Sequence, residues 1–486
     1  DNIDYIKNLG CTAIWLSPVF ENNPHSYHGY AIQNYLDVDQ RWGTKKDLER
    51  LVDKAHKLDI RVFLDVVLHH SGDNWSYPFD YDYYYANGER FPLGDWREKD
   101  RPLPIELRDP ELYNRKGQIR NFDKYPETQE GDFLTLKTFR NDGSPESEKL
   151  GKLLAAIHCY WIRETDVDGF RLDAVKHMKG QDISRFCSSI REYAYSLGKR
   201  NFFLFGEIIG NDETGNSYIG PKMLPEDQNV YYGLDSVLDH PLHSVLAGVI
   251  KGVSSPERLL ERYASLQRNA LSRGEYGDFL VTYIDDHDQV GTNFKHRFGY
   301  NATPEQIVAG MGFLLCALGA PCIYYGTEQG LDGNGIDDRY IREGMFDPND
   351  TETNLLNRNS WIYGKIADLA KLRQTEPILK FGRMYFRKTS KNTVDFHYPN
   401  CEECLLTFSR VLHNGEILVV YNSSPKDVKV EYVLIDATIN NAGGHMKCIY
   451  GGKTKVKVQK KLDRQDSRLY IKLKVKPMEF LIFKNS

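Results

Sequence analysis

The segment GFRLDAVKH, from Gly169 to His177, combines two opposite charges with a strand-like apolar pattern. Side chains of a β-strand alternate between its two faces, so Arg171 and Asp173 are predicted to point the same way. Opposite charges on the inward face of a buried strand are costly in free energy unless they pair. A neighbouring guanidinium favours the ionised carboxylate, which is the form that a nucleophile needs. The spacing therefore predicts a reactive carboxylate at Asp173.

Polar residues also follow three other strand-like segments. DVVLHH ends in His69 and His70, FFLFGEI contains Glu207, and YIDDHD contains His287 and Asp288. Any one of these residues alone is better explained as a turn, cap or core residue. Their occurrence at separate strand ends favours a shared pocket, because a β/α barrel brings the carboxyl ends of its strands together around one axis.

The chemistry available to such a pocket depends on its carboxyl groups. An apolar wall such as FFLF is expected to raise the pKa of Glu207, which suits a general acid. A nucleophile and a general acid form the pair of a retaining glycosidase, with carboxyl groups about 5–5.5 Å apart. Asp288 is expected to bind sugar hydroxyls, and His70 and His287 are expected to donate hydrogen bonds to the sugar.

The elements that must position these residues alternate between amphipathic helices and short apolar strands. Continuous apolar strands separated by helices predict a parallel sheet that is buried on both faces. Seven strands of this kind favour a (β/α)8 TIM barrel over an open sheet, with the first strand missing from the chain as given. The strand segments are CTAIWLSPV, IRVFLDVVL, GFRLD, FFLFGEI, VYYGLDSVL (from Val230), FLVTYIDD and PCIYYG.

The predicted barrel occupies residues 1–70 and 131–380. Residues 71–130 form an irregular excursion after the third barrel strand, rich in Tyr, Asp, Pro and Arg, and are predicted to be an inserted domain. From residue 381 the pattern changes to alternating strands such as KTKVKV and IKLKVK. This pattern predicts a C-terminal antiparallel β-sandwich, so the fold class is α/β with an appended β domain.

Composition limits the class of partner. The chain has 63 Lys and Arg against 68 Asp and Glu, a net charge of −5, which gives no reason to expect a nucleic acid. The longest apolar run, residues 308–325, is interrupted by Pro and Gly and predicts a buried helix and strand rather than a transmembrane segment. Eight cysteines do not indicate a disulfide scaffold. A less favoured alternative is a loosely spaced zinc site at Cys401, Cys404, His445 and Cys448.

In order and spacing, DVVLHH, GFRLDAVKH, FGEI and YIDDHD closely resemble the four signature segments of the α-amylase family of glycoside hydrolases. YHGYAIQNY resembles the family segment whose tyrosine, here Tyr30, stacks on the sugar at the cleavage subsite. The resemblance implies that Asp173 is the nucleophile, Glu207 the acid/base and Asp288 the transition-state stabiliser. It also implies a substrate-binding set, which comprises Tyr30, His70, Arg171, Lys176, His177 and His287.

The sequence departs from the family pattern where the family often binds a structural calcium. His69 stands where the family usually has Asn, and Thr135 and Lys137 stand where it usually has Asp and Asn. Imidazole and ammonium groups are poor ligands for a cation that prefers oxygen. We therefore expect no required cofactor, no metal among the site residues, and a degraded calcium site.

The function that these residues predict is retaining hydrolysis of α-1,4-glucosidic bonds in starch, glycogen or maltooligosaccharides. An α-glucan is therefore the expected partner. The first alternative is a 4-α-glucanotransferase, in which a sugar hydroxyl replaces water at the same residues. The second alternative, a catalytically silent glucan-binding protein, is disfavoured because all three carboxylates are present.

Overall fold

The computed structural model describes residues 2–79, 83–220, 233–269, 271, 274–289, 294–346, 354–462 and 467–485. The chain divides into two compact units. Unit 1 comprises Asp1–Lys7, Cys11–Leu238 and Asn269–Gly274, and unit 2 comprises Asn8–Gly10, Asp239–Arg268 and Glu275–Ser486.

Unit 1 contains a parallel β-sheet whose strands follow one another in chain order. These strands are Ala13–Leu16, Arg61–Val66, Gly169–Leu172, Phe203–Gly206 and Ser236–Leu238. Asp65 pairs with Arg171, and Arg171 pairs with Phe205 on the next strand. This register brings the charged strand ends level with one another. The strand predicted from Val230 starts in residues outside the described ones, and its described part is Ser236–Leu238.

Helices alternate with these strands because their sequences provide caps and an apolar face. Lys45–Lys57 starts with a capping box between Thr44 and Asp47, and it buries Leu48, Val52 and Ala55 at helical spacing. The described α-helices are Ile3–Leu9, Lys45–Lys57, Glu127–Glu130, Pro145–Thr165, Gly180–Ser196, Asp212–Ile219, His240–Ile250, Glu257–Arg268, Pro304–Cys316, Trp361–Thr375 and Pro377–Phe381. None of these described helices has the length and apolar content needed to cross a membrane.

The excursion between residues 71 and 130 has little regular structure. It contains short 3-10 helices at Glu98–Asp100, Ile105–Arg108 and Pro110–Leu112. Aromatic contacts hold it together instead, such as Trp75 against Tyr77 at 4.8 Å and Tyr83 against Phe91 at 4.2 Å between ring centroids. Two antiparallel strand pairs in unit 1 are Phe20–Asn22 with Ile32–Val38 and His70–Ser71 with Lys137–Thr138.

Unit 2 begins its sheet structure with two parallel strands, Leu280–Thr282 and Ala320–Pro321. The helix Pro304–Cys316 lies between them in the chain, and its residues Gln306–Cys316 are all buried. A short antiparallel pair joins Lys295–His296 to Asn334–Gly335. The remaining 3-10 helices of the two units are Val175–His177, Tyr276–Phe279, Thr327–Gln329 and Asp338–Ile341.

Two antiparallel sheets follow in unit 2. The first has six strands in the order Arg383–Phe386, Leu405–Leu412, Gly415–Asn422, Phe480–Asn485, His445–Tyr450 and Lys455–Lys457. The second has four strands in the order Thr389–Ser390, Lys429–Leu434, Ser467–Val475 and Gln459–Leu462. Side chains of both sheets, including Leu418, Ile471 and Phe483, pack into one apolar core. This arrangement is the predicted C-terminal β-sandwich.

Candidate active site

Arg171 is fully buried and is shared by three carboxylates. Its Nη1 donates to Asp65 Oδ1 at 2.9 Å and to Asp173 Oδ1 at 2.6 Å. Its Nη2 lies 2.9 Å from Glu207 Oε1. The prediction that Arg171 and Asp173 point to the same side and pair is therefore confirmed by their contact, and Glu207 from the next strand joins them.

Asp65 is the site residue that the sequence reasoning left without a role. Its carboxylate is completely buried and accepts hydrogen bonds from Trp15 Nε1 at 3.1 Å and from the Tyr30 hydroxyl at 3.0 Å. The Arg171 guanidinium also lies over the Trp15 ring, 5.1 Å from its centroid. The sequence signal was a charged residue within an otherwise apolar strand, and the sheet places this residue directly opposite Arg171. Asp65 thus fixes both Arg171 and Tyr30.

A tight turn after the strand Gly169–Leu172 orients the acidic pair. Asp173 N donates to Val66 O at 3.0 Å, which continues the sheet pairing by one residue. Ala174 then adopts a left-handed conformation with φ of 51°. This turn directs the Ala174 amide to Glu207 Oε2, at 3.1 Å. Asp173 and Glu207 keep 11% and 15% of their side-chain surface exposed, so both carboxylates remain accessible.

Burial raises the pKa of Asp173, the charge of Arg171 lowers it, and the charges of Glu207 and Asp65 raise it further, with a net rise. Arg171 stays a cation, because the surrounding carboxylates raise its pKa although burial opposes them. Arg171 favours the ionised form of Asp173, as the sequence predicts, but this guanidinium is divided among three carboxylates. Burial and the charges of Glu207 and Asp65 outweigh its effect on the pKa of Asp173.

The surroundings of Glu207 also differ from the expected apolar wall. Its oxygens contact the Arg171 guanidinium and the Ala174 amide, which are both polar donors. The phenylalanines of the preceding strand instead pack among themselves and against Trp15, with Phe205 5.6 Å from the Trp15 ring centroid. The segment FFLFG alternates faces, so its aromatic residues do not all surround the carboxyl group that follows them.

His70 is 2% exposed, and its Nδ1 lies 3.2 Å from His69 Nδ1. Burial, together with the charge of His28, lowers the pKa of His70 to about 3. Burial also lowers the pKa of His69 well below its ordinary value. Both imidazoles are therefore neutral near pH 7, so one of the two facing nitrogens donates and the other accepts.

Lys176 and His177 lie in the turn Val175–His177 and reach the excursion. Lys176 Nζ pairs with Asp123. His177 Nδ1 lies 2.7 Å from Thr128 O, to which it donates, because a carbonyl oxygen can only accept. The His177 ring also meets Phe133 edge-on at 4.6 Å. These contacts place both predicted substrate-binding residues beside residues 122–133.

His287 and Asp288 belong to unit 2. The His287 ring Nδ1 lies 3.1 Å from Asp286 Oδ1, and the His287 carbonyl accepts from Arg342 Nε at 2.8 Å. Burial opposes ionisation of Asp286, but hydrogen bonds and charge from His287 give it a net lowered pKa. Asp288 is half-buried. Asp286, the preceding residue in the chain, thus orients the His287 ring. The other predicted site residues all belong to unit 1; they are Tyr30, His70, Arg171, Asp173, Lys176, His177 and Glu207.

The residues at the family's calcium positions do not fit a calcium ion. Lys137 is 5% exposed, its Nζ lies 3.1 Å from Asp73 Oδ1, and it lies over the Trp75 ring at 5.0 Å. Thr135 is exposed, and the His69 ring packs against Phe133 at 4.5 Å. A cation of the chain itself therefore lies where an ion would need oxygen ligands. Within the described ranges, no group of three His, Cys, Asp or Glu residues could hold a metal, which also covers the zinc alternative.

Comparisons with known proteins show what the whole chain is similar to. The family model for the alpha-amylase catalytic domain matches residues 1–365. An alpha-amylase of Streptomyces lividans is 28% identical over 451 residues, which cover 79% of this chain and 46% of that protein. A beta/alpha-amylase of Paenibacillus polymyxa is 30% identical over 438 residues, which cover 87% of this chain and 30% of that protein. The chain thus spans less than half the length of these two relatives.

The fold is also shared with solved structures. A cyclomaltodextrin glucanotransferase with a three-domain ABC distribution superposes with a TM-score of 0.74 at 24% identity, covering 99% of this chain and 89% of that one. The predicted fold class, a β/α barrel with a C-terminal β domain, is confirmed by this likeness together with the parallel and antiparallel sheets described above.

Proposed function

The chain belongs to the alpha-amylase family, and from this premise we propose that it is a retaining glycoside hydrolase that cleaves α-1,4-glucosidic bonds of starch, glycogen or maltooligosaccharides. One observation carries the proposal. Arg171 contacts both Asp173 and Glu207 within 2.9 Å, so a nucleophile and an acid/base are fixed by one cation at the ends of neighbouring strands.

In the first step, Asp173 attacks the anomeric carbon while Glu207 donates its proton to the glucosidic oxygen. The bond from the anomeric carbon to the leaving oxygen breaks, and a glycosyl ester of Asp173 forms. In the second step, Glu207 takes a proton from water, the water oxygen attacks the anomeric carbon, and the ester bond breaks.

The remaining roles are those that membership of the family implies for each residue. We assign Asp288 the stabilisation of the oxocarbenium-like transition state, with His287 oriented for the sugar by Asp286. Tyr30, held by its hydroxyl on Asp65, offers its ring face to the sugar. His70 and Arg171 complete the subsite at the cleaved bond, and Lys176 and His177 line the leaving-group side.

The second candidate is a 4-α-glucanotransferase. The solved structure named above is called a glucanotransferase, and the same acid/base and nucleophile serve when a sugar hydroxyl replaces water. The difference between the two reactions lies in the second step, where the acceptor enters. A catalytically silent glucan-binding protein is disfavoured, because both carboxylates of the acidic pair are present and accessible.

The test is the time course of products from maltoheptaose, separated by chromatography. Only shorter products are expected from a hydrolase, whereas products longer than the substrate at early times would establish a transferase. Asp173→Asn is the inactive reference and Asp166→Asn the matched control. Asp166 ends a helix in a left-handed conformation that Asn also adopts, and its side chain is 64% exposed. No product of either kind from the unmodified chain would refute the proposal.

A further inference from the structure

Unit 1 contains a cavity of about 320 Å³ for which the proposed reaction has no use. It lies between the helices Pro145–Thr165 and Gly180–Ser196, beside the segment that follows the strand Arg61–Val66. Its size is at the small end of the range for ligand pockets, roughly 300–1,000 Å³. Its apolar wall is formed by Leu68, Phe139, Leu150, Leu154, Met178 and Phe186.

Two buried polar atoms of the cavity lining have no hydrogen-bond partner among the described residues. One is His69 Nε2, on a residue that is 1% exposed, and the other is Asp182 Oδ2. The other ring nitrogen of His69 is occupied by His70, so Nε2 is the nitrogen left for the cavity. Buried polar atoms without partners are rare in native proteins, because each one loses its hydration without compensation.

The state of His69 follows from its neighbours. The rings of His69 and His70 face each other through Nδ1 at 3.2 Å, so one Nδ1 donates and the other accepts. His69, which is neutral, therefore offers Nε2 to the cavity either as a lone pair or as an N–H donor. The carboxylate oxygen Asp182 Oδ2 accepts. A hydroxyl group can donate and accept, so it matches either state of His69 Nε2 as well as Asp182 Oδ2.

The charges around the cavity indicate a neutral partner. Arg185 Nη1 lies 3.1 Å from Glu148 Oε1, and Arg140 Nε lies 2.7 Å from Asp142 Oδ2. Both arginines of the lining are thus already compensated, and the third cation of the lining, Lys152, is exposed to solvent. A molecule with several hydroxyl groups and apolar C–H faces satisfies both unpartnered atoms and packs against the aliphatic and aromatic wall.

We propose that this cavity binds a small neutral polyhydroxylated ring, of the size of one monosaccharide, through His69 Nε2 and Asp182 Oδ2. The site is separate from the residues assigned to catalysis, but His69 connects the two. A hydroxyl that donates to His69 Nε2 stabilises the tautomer in which His69 Nδ1 donates to His70. Occupancy of the cavity therefore favours the His70 tautomer that donates from Nε2. The relevance of this tautomer to catalysis rests on the proposed function of His70.

The experiment is isothermal titration of glucose into the full chain and three variants. Gly151 lines the cavity and a Cβ built there meets no atom within 4 Å, so Gly151→Phe fills the space without a backbone clash. Gly364, also helical and also without a neighbour within 4 Å, provides the matched control Gly364→Phe in unit 2. We expect glucose binding in the unmodified chain and in Gly364→Phe, its loss in Gly151→Phe, and about tenfold weaker binding in Asp182→Ala.

Binding can be read separately from catalysis, so its outcome does not depend on the proposed reaction. Glucose held at the catalytic residues would persist in Gly151→Phe, and equal binding in Gly151→Phe and Gly364→Phe would overturn the cavity site. A crystal structure with glucose that contains only ordered water at His69 Nε2 would overturn it as well. If glucose binds as expected but maltoheptaose is not converted, the cavity site stands and the proposed function fails.

Discussion

Asp65→Asn tests whether one guanidinium really serves three carboxylates. The substitution keeps the shape of the side chain but removes its charge and places an amide N–H₂ among the donors Arg171, Trp15 and Tyr30. Loss of a charge-assisted hydrogen bond in a fully buried cluster costs about 3 kcal/mol of unfolding free energy. For a chain of 486 residues that unfolds cooperatively, we therefore expect the Tm to fall by about 3 °C.

The same substitution should move the pH dependence in a defined direction. Asp65 Oδ1 and Asp173 Oδ1 lie against the same Arg171 Nη1 at 2.9 and 2.6 Å, so these two oxygens are at most about 5.5 Å apart. A unit charge at that distance is worth about 3 kcal/mol at an effective dielectric constant of about 20, so its removal lowers the pKa of Asp173. Activity that requires the ionised nucleophile appears as pH rises through this pKa, so the acidic limb of kcat/KM should shift by up to about two pH units to lower pH.

The assay combines thermal unfolding with the pH profile of maltooligosaccharide hydrolysis. Asp132→Asn is the control, since Asp132 is also fully buried in unit 1 and accepts from Tyr77 and Thr138 but does not contact Arg171. We expect the control to lose stability without any shift of the acidic limb. The reasoning is refuted if Asp65→Asn leaves the limb in place or moves it to higher pH.

Three further outcomes are expected. Asp173→Asn should reduce turnover by at least about 10⁴-fold while the protein still unfolds cooperatively, and substantial residual activity beside Asp166→Asn would remove Asp173 from the mechanism. His158 is fully buried, and burial lowers its pKa from 6.5 to about 4. Since the unfolded chain binds the proton at higher pH than the folded chain, the free energy of unfolding falls as pH drops from 6.5 to 4. In urea unfolding, the free energy of unfolding of His158→Gln should fall over this interval by up to about 3 kcal/mol less than that of the unmodified chain, and equal decreases would show that His158 is not the group responsible. A chelator should lower the Tm by less than about 2 °C, and a large drop reversed by calcium would reveal an ion site.

Much of the fold was accessible from sequence because the governing patterns are local. The alternation of apolar strands and amphipathic helices predicted the parallel sheet, and the period of two predicted that Arg171 and Asp173 share a face. The helix Lys45–Lys57 carries its own start signal in Thr44 and Asp47. Each of these inferences needs only neighbours within about ten positions in the chain.

The parts that were missed depend on register and on side-chain geometry. Asp65 lies within the segment DVVLHH, but its contacts with Arg171 and Tyr30 join residues far apart in the chain. The same is true of Lys137, which follows the excursion, whereas its partner Asp73 lies near the start of the excursion. The division of Arg171 among three carboxylates, which decides the charge state of the acidic pair, is invisible to any argument that pairs it with Asp173 alone.

Under the proposed function, the sharing of Arg171 among three carboxylates also affects which glucans the site accepts. Three carboxylates around one cation leave an excess of negative charge even after one proton is bound. A phosphate ester on a substrate ring within about 8 Å, the screening length at physiological salt, is repelled by this excess. Unmodified glucans experience no such repulsion. Chemically phosphorylated segments of starch should therefore survive as limit products, cut only at linkages more than about 8 Å from the modified ring.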